Sequence, residues 1–73
     1  MIYEILNMHS QINHNEVIRL ILTRNGWEIT IDKTDLIKVT DTGMLRIIRA
    51  KGNLTSVNPA HVALACISEK GVY

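Results

Sequence analysis

Apolar residues alternate with polar ones in short runs along most of the chain, and Gly, Asn or Asp interrupts each run. That pattern predicts short β-strands joined by tight turns. The clearest case is RLILTRNGWEITID, residues 19–32. A two-residue turn at Asn25-Gly26, both residues at positive φ, pairs Arg24 with Trp27, Leu22 with Ile29 and Leu20 with Ile31 on one face. Thr23 with Glu28, Ile21 with Thr30 and Arg19 with Asp32 fall on the other, where opposite charges across a ladder add a few tenths of a kcal/mol.

After the polar stretch KTD, the runs LIKVT and MLRIIR flank Asp41-Thr42-Gly43. A three-residue loop with Gly43 in the left-handed region sets Val39 opposite Leu45 and Ile37 opposite Ile47. Lys51-Gly52 marks the next turn and NLTSV a fifth strand, and Asn58-Pro59 marks a bend because Pro donates nothing to a ladder. The run HVALACI that follows has no clean period and is compatible with a strand or a short helix. Offsetting the sequence by 26 residues lays Gly26 over Gly52, Thr30 over Ser56, Ile31 over Val57, Asp32 over Asn58 and Leu36 over Val62. Two units, each strand, Gly turn, strand, polar bend, strand, are therefore expected over residues 16–42 and 43–73. A shared turn chemistry is the plainer explanation of the same matches.

Residues 1–15 read differently. Ile2, Ile5, Leu6 and His9 make one helical stripe, so a short helix packed on the sheet is favoured over an edge strand. The expected fold is one mainly β domain: a small antiparallel sheet, or an SH3-like or Sm-like barrel, of about five to six strands behind a short N-terminal helix or strand. IIRAKGN resembles the Arg-Gly turn before the last strand of Sm proteins, which implies the barrel form but carries no site residue over.

Composition narrows the function classes. A 73-residue chain makes a small core, and domains of this size usually need a staple. The single cysteine, Cys66, excludes an internal disulfide, which leaves a metal or self-association. MIYEIL contains no signal-peptide h-region and no apolar run reaches membrane-spanning length, so a cytoplasmic location is the expectation. Eight Lys and Arg against seven Asp and Glu leave a formal charge of +1, too little to steer the chain toward phosphate backbones.

The candidate chemistry is sparse. His9, His14, His61 and Cys66 form two pairs five positions apart, a spacing that suits neither a zinc knuckle nor one face of a strand, and neither metal nor cofactor is expected. No P-loop, dinucleotide fingerprint or nucleophile elbow is present, so enzymatic activity is not expected. Arg46 and Arg49 interrupt an aliphatic strand on opposite faces. At least one guanidinium then points toward an apolar side and needs a carboxylate or phosphate partner, unless the strand is an edge with both arginines in water. Arg24, Arg49 and Lys51 lie near equivalent turns of the two units and make a candidate basic patch. Trp27, beside the hairpin turn, either stacks on Arg24 or anchors a protein contact, since Trp and Arg are enriched at interface hot spots. Trp27, Arg24, Arg49 and Lys51 are thus the expected partner-binding residues of a non-catalytic interaction module, a regulator, inhibitor or assembly subunit acting as a homo-oligomer. The runner-up is an oligomeric nucleic-acid binder using Arg24, Arg46, Arg49 and Lys51.

Overall fold

The computed structural model describes residues 2–71. They form helix α1 (Ile2–Gln11) and six strands, β1 (Glu16–Leu22), β2 (Glu28–Asp32), β3 (Leu36–Val39), β4 (Leu45–Ile48), β5 (Leu54–Val57) and β6 (Val62–Glu69), with a 3-10 turn at Pro59–His61 before the last. The strands make two open antiparallel sheets, ordered β2-β1-β6 and β3-β4-β5. The fold is mainly β with a short N-terminal helix, as the alternation predicts, but the expected barrel does not close.

Neither sheet coincides with one of the two units. The hairpin of each unit recruits the third strand of the other: β6 pairs with β1, and β3 pairs with β4. Apart from His61, which ends the 3-10 turn, HVALACI is therefore strand, and its state is decided by a partner forty or more residues upstream in sequence rather than by its own period. Inner-face side chains from both sheets, Ile18, Leu20 and Ile31 from one and Leu45, Ile47 and Val57 from the other, meet Ile5 and Ile12 of the N-terminal segment in a single buried cluster.

The second hairpin forms with the expected register, Ile37 opposite Ile47 and Val39 opposite Leu45. Thr40 and Met44 close the three-residue loop, with Gly43 at φ +82°. Residues 50–52 repeat that loop between Arg49 and Asn53, with Gly52 at φ +94°. The first hairpin departs from expectation. Ile18 faces Ile31 and Leu20 faces Ile29, a register two residues away from the one that an Asn-Gly two-residue turn would impose. Leu22 and Trp27 close a four-residue loop, and only Gly26 has positive φ. A shift of two keeps every side chain on its face, so the apolar pattern is equally satisfied. Arg24 now lies inside the loop rather than across the ladder from Trp27. Arg19 bonds Glu28, not Asp32, through Nε at 2.8 Å and through Nη2.

Helix α1 buries Ile5 and packs Ile2 against the core as expected, with Met8 rather than Leu6 continuing the apolar stripe. Its last turn leaves carbonyls without helical partners. The Lys33 ammonium donates to two of them, those of His9 and Ser10, each at 3.3 Å, which ties the helix to the bend after β2. No helix among the described residues is long and apolar enough to cross a membrane.

Candidate functional site

Residues 32–35 and 58–61 build the same bend. Asp32 Oδ1 accepts from the Thr34 amide at 2.8 Å and Asn58 Oδ1 from the Ala60 amide at 3.0 Å. The Asp35 amide then donates to the Asp32 carbonyl, and the His61 amide to the Asn58 carbonyl. A side-chain oxygen that satisfies the amide two residues on is what favours Asp and Asn here.

The first bend carries an ionic clamp. Asp35 is 6% exposed and accepts from Arg49 Nη1 at 2.8 Å, from the Ala50 amide at 3.3 Å and from the Asp32 amide at 3.1 Å. Arg49 Nη1 also donates to the Thr30 carbonyl. In the β1–β2 register the backbone groups of Thr30 and Asp32 point away from β1, toward the free edge of β2. Arg49 and Asp35 therefore cover that edge at Thr30 and Asp32, and His9 Nε2, 3.2 Å from the Asp32 carbonyl, adds to the cover. An open cleft of about 520 Å³ lies beside the clamp, lined by Val17, Thr30, Asp32, Lys51 and Lys70 among others. Asp32 holds its proton more weakly than an ordinary aspartate. The Thr34 hydroxyl bond is the largest cause; partial burial opposes it, and the Thr34 amide, Lys70 and the Asp35 amide add to it.

The outer face of the second sheet has a different character. Leu36, Ile48 and Leu54 stand side by side across its three strands, and Lys38, Arg46 and Ser56 form the adjacent row. Leu36 and Leu54 are 60% and 57% exposed, in a chain whose other aliphatic strand positions mostly face the core. None of the six positions carries a carboxylate, and Lys51 in the loop above the apolar row adds a further cation. This is an apolar strip bordered by positive charge.

The structure separates the expected partner-binding residues. Arg49 is committed to Asp35 and Thr30, which answers the demand of an arginine in an aliphatic strand with a carboxylate from the same chain. Arg46 is on the exposed face. Lys51 and Arg24 are exposed on different loops: the loop of Arg24 is held to the second bend by the Thr23 amide on the His61 carbonyl, whereas that of Lys51 is held to the first by Asp35. Trp27 is 68% exposed, with its amide on Asn25 Oδ1 at 3.1 Å. Among the described residues no group of three or more His, Cys, Asp or Glu side chains is placed to hold a metal ion. The Leu36–Ile48–Leu54 strip was missed from the sequence, although the Ile37–Ile47 pairing already implies it, since neighbours of inward residues point outward. No protein-family model matches the chain, and no curated protein or solved structure shows significant similarity to it.

Proposed function

We propose that this protein is a small non-catalytic interaction module that engages another protein, as a regulator, inhibitor or assembly subunit, and works as a homo-oligomer. The observation that carries the reading is the uncovered Leu36–Ile48–Leu54 strip with its cationic border. Burying two leucines that are each more than half exposed contributes roughly 1–2 kcal/mol apiece, and Lys38, Arg46 and Lys51 favour a partner whose apolar contact is flanked by Asp or Glu. Trp27 supplies a second exposed anchor, on the loop between β1 and β2.

The test is native mass spectrometry of the protein purified from its own host, followed by affinity measurement with the polypeptide it retains. Replacing Leu36 and Leu54 with Ser should weaken that complex about a hundredfold, and Trp27→Ala about tenfold, with the fold intact. Undiminished binding by the double variant would overturn the assignment of the strip. The same cations also support a second reading, nucleic-acid binding by an oligomer. Affinity for an oligonucleotide that falls steeply with salt, and with Lys38→Ala or Arg46→Ala, would favour it over a protein partner.

A further inference from the structure

Among the described residues the two sheets leave four free edges, and three of them are guarded. The edge of β2 is covered at Thr30 and Asp32 by Arg49, Asp35 and His9. β3 carries Lys38 and β5 is four residues long, both recognised protections against edge pairing. β6 has none of these over residues 64–69, and its bulge lies before them, at Ala63, where Ile21 pairs with Leu64 and Leu22 with Val62. It runs eight residues, VALACISE, without a charge before Glu69, and Leu64 and Ile67 are 54% and 41% exposed on it.

We infer that β6 is the self-association edge of the homo-oligomer proposed above, pairing antiparallel with β6 of a second copy about a twofold axis at Cys66. The phase of its hydrogen bonding follows from the first sheet. The Lys70 amide donates to the Asn15 carbonyl, so in the same register Leu64, Cys66 and Ser68 turn their backbone groups to β1, while Ala65, Ile67 and Glu69 turn theirs outward. Two copies centred on Cys66 set Ala65 against the mate's Ile67, and Ile67 against its Ala65, so that these residues exchange N–H and C=O groups. Leu64 then stands beside Ser68 of the mate.

Every large side chain meets a small one in this register. Moving the axis to Ala65 sets alanine against alanine, and moving it to Ile67 sets isoleucine against isoleucine and Glu69 against Ala65. The inner face also continues without a break, because Ile67 already neighbours Ile18 and Ala65 neighbours Leu20 within one copy. A six-stranded sheet results, with the order β2-β1-β6 mirrored across the axis.

The inference rests on the self-association part of the proposed function and is independent of the partner strip. In this register Cys66 faces its mate in a non-hydrogen-bonded pair, at a Cα separation of about 4.5 Å that a disulfide can span. The test combines sedimentation velocity across a dilution series with oxidation by diamide. One S–S bond forms as two thiols give two protons and two electrons to diamide, which is reduced to its hydrazine. The expected result is a reversible dimer that diamide converts to a covalent one, and no covalent dimer from Cys66→Ser. Ile67→Lys should raise the dimer dissociation constant about a hundredfold and abolish cross-linking while the circular dichroism of the fold is retained. A monomer at every concentration would overturn the inference, as would a dimer whose thiols stay reduced, or one that persists in folded Ile67→Lys. Pairing of β6 with an extended segment of a different protein, in an otherwise monomeric chain, would overturn it too. Loss of partner binding in the Leu36/Leu54 variant with the dimer unchanged separates failure of one proposal from failure of the other.

Discussion

The bends at residues 32–35 and 58–61 share their backbone hydrogen bonds but are anchored to the neighbouring hairpin loop by different chemistry. In the first, the buried Asp35 carboxylate takes the Ala50 amide and the Arg49 guanidinium. In the second, His61 is exposed and the hairpin loop is held by its carbonyl, which accepts the Thr23 amide at 2.8 Å. Both solutions satisfy the first amide of a turn that has no ladder partner. The difference is that the backbone solution is indifferent to side-chain identity, whereas the carboxylate solution puts a charge out of water and depends on one arginine.

Arg49→Ala should therefore be the most damaging of the changes considered, because it strands the Asp35 carboxylate and uncovers the Thr30 carbonyl. Removing one member of a buried pair costs about 3–5 kcal/mol, and the quarter exposure of Arg49 moves the expectation to about 2–3 kcal/mol. His61→Ala, at the position equivalent to Asp35, should change stability by less than about 0.5 kcal/mol. Urea unfolding of both variants, compared through midpoints at constant slope, checks the contrast. Equal losses would show that the two bends are held alike and that the ion pair is incidental.

The same contrast explains which parts of this fold are legible in the sequence. The pairing of Ile37 with Ile47 and the loop closed at Gly43 follow from short runs of alternating residues on either side of a glycine, where parity and turn length agree. In the first hairpin they conflict. Parity permits registers two residues apart, and Asn25-Gly26 argues for the shorter loop, yet the chain adopts the longer one, in which Ile18, Leu20 and Ile31 are fully buried. The Asp35–Arg49 contact spans fourteen residues, and no local pattern announces it, although an arginine within an aliphatic strand signals that some acid must come to meet it. The crossing of β6 to β1 is a long-range choice and leaves no mark on HVALACI itself. The two open sheets in place of a barrel belong to the same class, since the cover on β2 is built by side chains from distant segments.

Glycine substitutions sharpen the comparison by testing what the halves have in common. Gly26 at φ +70° and Gly52 at φ +94° have nothing within 4 Å of an added Cβ. Any loss on replacement by Ala is then conformational, about 1 kcal/mol at each site. Similar losses in the four-residue and the three-residue loop are expected in thermal unfolding. A much larger loss at Gly52 would show that the clamp beside it is disturbed as well.

The smallest effect concerns Asp32, whose counterpart in the second unit is already Asn58. Asp32→Asn keeps an oxygen for the Thr34 amide, so the bend should survive as it does at residues 58–61, with a loss of only a few tenths of a kcal/mol near neutrality. That loss is the charge-dependent part: the Thr34 hydroxyl bond, and Lys70 at 3.9 Å from the carboxylate. Its pH dependence has a definite sign. The folded pKa of Asp32 lies below the unperturbed value of 3.8, so its charged form adds stability above that value and the gain disappears as pH falls through the folded pKa. Wild type should exceed Asp32→Asn in thermal midpoint at neutral pH, and the gap should close in acid. A gap that widens in acid would mean that the charge of the carboxylate costs stability in this bend, and a wild type less stable than Asp32→Asn at neutral pH would mean that asparagine, as in the second unit, is the better residue for it.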